Sequence, residues 1–475
     1  MCSSDLERAR TSRDAEITVP EALNAELRPY QVEGFRWLAR LSTWAPGACL
    51  ADDMGLGKTV QAIALLLHRP GPALVVAPTS VGFNWLRELA RFAPSLRARA
   101  LRGAGRLDQL EDLGPPDVLV TSWDLLARDI DTLEKITFGT IVLDEAQAMK
   151  NPTTARARAA VRLDGAFRLA LTGTPVENRV SELWSLFRVV APGLLGSWDR
   201  FRERFLGPIE RDGDHARRDA LARLIRPFVL RRLKAMVAAE LPPRTDVNVE
   251  VELSEEERRL YEATRIAAVA SLQGAPDQRR FQVLAALTRL RQAACHPRLL
   301  DPESDLPSAK LTRLRELIGE LRAEGHRALV FSQFTRHLAL VRDALSEDGV
   351  RLRYLDGETP EARRRAEVDA FQAGDGDVFL ISLKAGGVGL NLTAASYVFH
   401  LDPWWNPAVE DQASDRAHRI GQTLPVTVCR LVATGTIEDR ILALHAEKRE
   451  LVAGLLDGTG DGGPLSVEEL MGLLE

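Results

Sequence analysis

Apolar positions in this chain follow two rhythms that alternate along its length. Unbroken runs such as Ala48-Cys49-Leu50, Ala73-Leu74-Val75-Val76-Ala77, residues 117–121, Gly139-Thr140-Ile141-Val142-Leu143 and Arg168-Leu169-Ala170-Leu171 read as buried strands. Between them, residues 60–68, 81–92 and a stretch from Ser122 carry helical spacing, with Trp85, Leu86 and Leu89 on one side. Pro70-Gly71-Pro72 and Pro78 punctuate the change of rhythm. Strands alternating with helices predict a parallel sheet covered on both faces. Ligands of such sheets sit at the carboxyl ends of the strands.

From about 193 to 300 the alternation lapses into a charged, helical pattern with few strand signals. It carries Arg217-Arg218, Arg231-Arg232 and Lys234, then a Pro242-Pro243 break. A solvated helical face and a DNA-facing insertion both fit that composition. A second alternating block begins near Lys310. Its strands are read at Ala328-Leu329-Val330-Phe331, Arg351-Leu352-Arg353-Tyr354, Val378-Phe379-Leu380-Ile381, Tyr397-Val398-Phe399-His400 and Val426-Thr427-Val428-Cys429. The expected organisation is a flexible lead-in (1–20), an α/β lobe (21–192), helical insertions with a linker (193–304), a second α/β lobe (305–456) and a tail (457–475). In the tail a Gly/Asp stretch precedes a short helix, signalled by Ser466 with Glu469 as a capping box.

With 475 residues and 45% hydrophobic content, the chain can fill two or three domains. No apolar run reaches the ~18 residues of a membrane span and no charged-then-apolar leader opens the chain, so no membrane partner is expected. Cys2, Cys49, Cys295 and Cys429 lie far apart, which indicates neither a disulfide framework nor a zinc site and points to a reducing compartment. The net charge of −5 gives no global basic signature, so any nucleic-acid contact must come from local basic surface. Nothing in the pattern indicates an obligate oligomer.

The candidate chemistry starts at Leu50-Ala51-Asp52-Asp53-Met54-Gly55-Leu56-Gly57-Lys58-Thr59, between a strand and a helix start. Gly55, Leu56 and Gly57 belong to a turn whose backbone N–H groups can close on phosphate oxygens, helped by the positive end of the helix. Lys58 would reach the outer phosphates and Thr59 would ligate Mg²⁺. The generic pattern opens on glycine; this chain has Asp52. Asp144-Glu145 at a strand end supplies the matching carboxylates. Asp144 can hold Mg²⁺ through water, and Glu145 can deprotonate an attacking water. Gln412, Arg416 and Arg419, read as one helical segment at i, i+4 and i+7, share a face. They are either a solvated stripe or arginine fingers for the transferring phosphoryl group. Gln31, beside Val32, Phe35, Trp37 and Leu38, is either part of a packed helix or an amide that reads an adenine edge.

These motifs carry a resemblance. The phosphate loop, Leu143-Asp144-Glu145-Ala146-Gln147, Leu171-Thr172-Gly173-Thr174-Pro175-Val176-Glu177-Asn178, Lys384-Ala385-Gly386-Gly387-Val388-Gly389-Leu390-Asn391-Leu392-Thr393, Asp402-Pro403-Trp404-Trp405-Asn406-Pro407 and Asp415-Arg416-Ala417-His418-Arg419-Ile420-Gly421-Gln422 look like those of the Swi/Snf-type helicase-like ATPases of helicase superfamily two. The likeness runs from about Leu27 to Leu456. It implies an α/β fold of two RecA-like parallel-sheet lobes with helical insertions, ATP and Mg²⁺ as cofactors, and translocation on double-stranded DNA. Position by position it implies that Gln31 reads adenine, that Lys58, Thr59, Asp144 and Glu145 serve ATP and Mg²⁺, and that Gln147 and Gln412 border the nucleotide. Arg416 and Arg419 resemble the arginine fingers, and Arg231-Arg232-Leu233-Lys234 the anchor of the inter-lobe linker. DNA-strand contacts resemble those at Thr79, Ser80, Thr121, Ser122, Ser332, Gln333, Lys384, Gly386, Gly387 and Trp404, mostly sequence-independent contacts to phosphate. Gln147 departs from the family's usual histidine, which touches coupling to DNA more than hydrolysis. Cys295-His296-Pro297 matches the close of the second insertion, a packing element more than a metal site.

The expected function is therefore a DNA-stimulated ATP hydrolase that moves on duplex DNA and displaces or remodels bound protein, with RNA polymerase or another DNA-bound protein as candidate partner. A bacterial cytoplasmic, nucleoid-associated location follows from that reading. The alternatives are a strand-separating helicase, an RNA-directed motor, or a non-catalytic scaffold that binds DNA or polymerase. The chain starts almost at the first motif, so a minimal motor or a fragment is expected.

Overall fold

In the computed structural model, the described residues are 16–445 apart from 70, 80, 104, 174–179, 238–240, 272–275 and 387–389; side chains are not described at 235, 276–281 and 386. They divide into two compact units, 16–237 and 241–445. Among them no helix is long and apolar enough to cross a membrane. The tail with its Ser466 capping box lies outside the described residues.

The first unit is built on strands β1 (Gly47–Leu50), β2 (Ala73–Ala77), β3 (Arg97–Ala100), β4 (Asp117–Ser122), β5 (Thr137–Phe138), β6 (Thr140–Asp144), β7 (Asp164–Gly165), β8 (Arg168–Leu171) and β9 (Val229–Leu230). Seven of them form one sheet in the order β3-β4-β2-β6-β8-β1-β9, while β5 and β7 pair separately. Every pairing in the sheet is parallel. All the strand ends that carry polar clusters therefore open on one edge. Leu74, Val76, Leu119, Ile141 and Leu143 pack into one core cluster with Trp123, Leu126 and Ile130 of the helix Trp123–Leu133, so the apolar runs are buried as expected. Ser122 starts that helix by accepting a bond from Leu125 N at 3.2 Å.

Edge strand β3 was not legible as a strand, because its Arg-Ala-Arg-Ala sequence lacks an apolar run. It is held by charge instead: Arg97 and Arg99 pair with the buried Asp117 of β4 at 2.7 and 2.5 Å.

The second unit holds β10 (Arg244–Val251), β11 (Ala328–Ser332), β12 (Leu352–Leu355), β13 (Val378–Ser382), β14 (Tyr397–His400) and β15 (Val426–Ala433), in the order β10-β15-β14-β11-β13-β12. All its pairings are parallel too. Its central strands β11 and β13 are apolar on both faces. Ala328, Val330, Val378 and Leu380 enter one cluster, and Leu329, Phe331, Phe379 and Ile381 enter the other.

The stretch 193–300, read as helical, needs correcting. It contains β9, which joins the first sheet beside β1, and β10, an eight-residue edge strand of the second. The polar alternation Arg-Thr-Asp-Val-Asn-Val-Glu-Val hides β10, since most of its side chains face solvent. The helices Glu255–Ala270 and Pro276–Cys295 then pack on Ala433, Ile437 and Ile441. Cys295, His337 and Asp402 bring ligand-type atoms within 4.8 Å of one another. A cation is not invited there, because Arg291 lies 3.3 Å from Asp402 and Lys310 is buried nearby on Glu438 at 2.6 Å. His296 Nδ1 accepts from Arg298 N at 3.1 Å, so the Cys295-His296-Pro297 turn is a packing element.

Candidate active site

The loop after β1 leads into the helix Lys58–His68 through two residues that L side chains resist: Gly55 at φ 84° and Gly57 at φ 75°. Gly57 is the helix N-cap and brings no capping side chain, so the first helical N–H groups face away from any intrahelical partner. A side chain at Gly57 would also collide with Gln31 Nε2. The loop is thus built for backbone approach to an anion.

Lys58 Nζ donates to the carbonyls of Asp52 at 2.6 Å and Asp53 at 3.2 Å. Burial lowers its pKa, against the pull of Glu145, Asp52, Asp144 and Asp53. The loop's other shoulder is Leu56, whose carbonyl accepts from Tyr30 Oη at 3.0 Å and Gln31 Nε2 at 3.1 Å. Gln31 Oε1 in turn accepts from Arg28 N at 3.0 Å. Gln31 thus ties the start of its helix at Arg28 to the shoulder of the phosphate loop, which is where the expected adenine-reading amide stands.

The carboxylates stand at the end of β6. Asp144 Oδ2 accepts from Trp85 Nε1 at 2.8 Å and Oδ1 from Glu145 N at 2.9 Å. Desolvation first, and the neighbouring Glu145 second, push Asp144 up to about 7. Glu145 itself has φ 49°, left-handed for a residue with a side chain. Such a conformation costs of order 1–3 kcal/mol and persists only where the surroundings impose it. A hydrogen-bonded chain holds it: Thr172 Oγ1 donates to Gln147 Oε1 at 3.0 Å, and Gln147 Nε2 donates to Glu145 Oε2 at 2.8 Å.

In the second unit the helix Pro407–Ser414 carries Gln412 and stops there. Arg416 and Arg419 lie in the turns that follow, which corrects the reading of one helical face: Asp415 is already the C-cap. Arg416 is buried and its carbonyl accepts from Leu392 N at 3.0 Å, while Arg419 Nη1 donates to Leu390 O at 3.3 Å. An ion network missed by sequence reasoning fixes this corner. Arg430 binds Glu410 at 2.8 Å and Asp246 at 2.9 Å, and Arg244 binds Asp411 at 2.8 Å and Asp415 at 3.4 Å. The missed signal was the acidic spacing Glu410, Asp411, Asp415 opposite two strand arginines.

A SNF2-related domain profile matches residues 30–299, and a helicase conserved C-terminal domain profile matches residues 309–421. The chain belongs to the SNF2 family. Its two parallel sheets are the two RecA-like lobes of that family. Among SNF2 relatives, the Bacillus subtilis (strain 168) protein YwqA, named as an ATP-dependent helicase/translocase, is 41% identical over 476 residues, covering 96% of this chain and 51% of its own. Human SWI/SNF-related matrix-associated actin-dependent regulator of chromatin subfamily A member 1 is 34% identical over 90% of this chain and 43% of its own. The solved Sulfolobus solfataricus SWI2/SNF2 ATPase core in complex with dsDNA is 36% identical, covers 97% of this chain and 99% of its own, and has a TM-score of 0.49. This chain spans about half, or less, of the length of those curated relatives.

The positions that the SNF2 resemblance assigns to DNA separate into groups. Thr79 and Lys384 are exposed, and Gly386 ends the short helix Leu383–Gly386. Thr121, Ser122 and Ser332 are buried. Ser122 caps a helix, and Ser332 Oγ donates to Asp402 Oδ1 at 2.5 Å. Thr121 Oγ1 and Gln333 Nε2 have no hydrogen-bond partner among the described residues. Trp404 is half-buried, with the Arg291 guanidinium 5.2 Å from its ring centre, so it serves the core of the second unit. Ser80, Gly387 and the residues 174–179 lie outside the described set.

Proposed function

We propose that this chain is the motor of a DNA-stimulated ATPase that tracks along duplex DNA without separating its strands and displaces or remodels bound proteins. The observation that carries the reading is the convergence of Lys58, Asp144, Glu145, Gln147 and Thr172 at one edge of the first sheet, tied by the Thr172–Gln147–Glu145 chain. A non-catalytic scaffold has no use for a strained carboxylate held by two neighbours.

Lys58 leaves the carbonyls of Asp52 and Asp53 to meet the outer phosphates. Glu145 accepts the proton of the attacking water, and Gln147 keeps its carboxylate aimed. Thr59 and Asp144 would hold a Mg²⁺ ion, which supplies positive charge to the phosphate oxygens. The donor set fits a divalent ion, because Thr59 and Asp144 offer oxygen atoms only, the donor type Mg²⁺ takes, and Asp144 is a buried carboxylate beside a second one. Arg416 and Arg419 are the candidates for charge on the transferring phosphoryl group. The S. solfataricus core was solved with dsDNA, which favours a duplex track, and the exposed Lys384 and Thr79 are the candidate phosphate contacts. RNA polymerase or another DNA-bound protein is the proposed object of the motor.

The test is ATP turnover with duplex DNA, single-stranded DNA and RNA at one salt concentration. Stimulation by duplex DNA is expected. Stimulation by RNA alone, or unwinding of a forked duplex, overturns the translocase reading.

A further inference from the structure

Asp52 stands where a phosphate loop ordinarily opens with glycine, and it is fully buried at 0% exposure. We propose that Arg232 is a positioning residue for nucleotide binding: it clamps Asp52 and so sets the course of the loop that carries Lys58. The proposal rests on the reading of that loop as the ATP site.

The clamp is dense. Arg232 Nε donates to Asp52 Oδ1 at 2.9 Å, and Nη2 donates to Asp52 Oδ2 and to Gln61 Oε1, the latter at 2.8 Å. Nη1 donates to the Tyr30 carbonyl, and the guanidinium lies 5.2 Å from the Tyr30 ring centre. Two ends of the loop are held at once, since Tyr30 Oη donates to Leu56 O. Backbone bonds reinforce the grip. Ala51 N donates to Leu230 O at 2.7 Å, Asp53 N to Arg232 O at 3.0 Å, and Lys234 N to Asp53 Oδ2 at 2.9 Å. Residues 51–53 are thereby gripped by a segment that arrives 180 positions later in the chain. Asp52 and Asp53 are the residues whose carbonyls hold Lys58 Nζ.

Room for the clamp is made elsewhere. Gly34 lies inside the helix Pro29–Leu41, a place that disfavours glycine. A Cβ there would collide with Gln61 Oε1 and sit 2.6 Å from Arg232 Nη2. The helix gives up a side chain where the guanidinium passes. Arginine suits the task because its planar fork meets both carboxylate oxygens, whereas a lysine is a point charge.

A pair that only stabilised the fold would show itself in unfolding and leave ATP binding by the folded protein alone. The test therefore reads KM for ATP, kcat and the thermal midpoint of the full chain carrying Arg232→Lys, Asp52→Asn or Gly34→Ala. Arg232→Lys and Gly34→Ala are each expected to raise KM about tenfold with a smaller change in kcat, as lost ground-state positioning does. Gly34→Ala alters no charge and carries the test if Arg232→Lys does not fold. Combining Asp52→Asn with Arg232→Lys is expected to do little more than either alone, because contacting residues are non-additive. A KM within about twofold of wild type in both Arg232→Lys and Gly34→Ala overturns the proposal, whatever happens to the midpoint. If Lys58→Ala binds and turns over ATP normally, it is the ATP-site reading itself that fails.

Discussion

Thr172 Oγ1 lies 3.0 Å from Gln147 Oε1 and donates to it, joining the ends of two neighbouring strands, β8 and β6. The amide's other end donates to Glu145, so a hydroxyl beyond one strand sets the aim of a carboxylate beyond the next. Removing the hydroxyl with Thr172→Val frees Gln147 to rotate. Turnover of ATP is expected to fall about tenfold with KM little changed, since the loss is one of orientation at the reacting step. Steady-state hydrolysis at saturating duplex DNA checks this, and an unchanged kcat would remove the relay from the mechanism.

Glu145 and Lys58 separate binding from chemistry. Lys58→Ala is expected to abolish hydrolysis by losing the outer-phosphate contact. Glu145→Gln keeps the shape of the side chain and the bond to Gln147. It should bind ATP normally yet turn it over at least ~10²-fold more slowly, the usual scale for a lost general base. Equilibrium nucleotide binding beside single-turnover hydrolysis distinguishes the two, and near-wild-type turnover in Glu145→Gln would strip that residue of its role.

Lys384 is exposed in the short helix that follows β13 and is a candidate phosphate contact. DNA affinity of the wild type should fall steeply with salt, because each neutralised phosphate releases counterions. Lys384→Ala should weaken binding uniformly across sequences and reduce the slope of log affinity against log salt by about one. Affinity titrations on two unrelated duplexes at several salt concentrations provide the measurement. A flat salt response in the wild type counts against backbone tracking.

His337 makes the second unit sensitive to acid. Burial, then the nearby His296 and Lys310, hold it down to about 3, and its Nδ1 has no hydrogen-bond partner among the described residues. A histidine with a depressed folded value binds its proton more readily when unfolded. Stability is therefore full above the unfolded value near 6.5 and is lost as pH falls below it, by up to ~1.4 kcal/mol per pH unit. Asp402, which burial pushes up to about 6, acts in the opposite direction. Comparison with His337→Leu isolates the histidine. Urea unfolding at pH 7 and pH 5 should show a smaller loss in the variant than in the wild type; equal losses would exclude His337 as the cause.

Much of this molecule was legible in the sequence because buried parallel strands are short, uniformly apolar and bounded by turns. Residues 73–77, 168–171 and 397–400 read directly as β2, β8 and β14. The phosphate loop and the Asp144-Glu145 pair were legible for the same local reason: each is a contiguous run whose residue types have few other uses together. The Gly55 and Gly57 conformations follow from backbone permissiveness alone.

Tertiary structure decided what depends on a distant partner. The edge strands β3 and β10 are polar, so only the neighbour each pairs with makes it a strand. Gln31 and Ser332 bond within the protein to Leu56 and Asp402, partners that no local pattern names. Arg416 and Arg419 leave the expected helical face because the helix ends at Ser414. Asp52 looks like a blemish in the loop until Arg232, 180 positions away, is seen against it. Local runs determine the elements and the reagents, since propensity and periodicity act over a few residues. Which buried charge meets which, and which polar group is left for a ligand, depends on pairs that only the folded chain brings together.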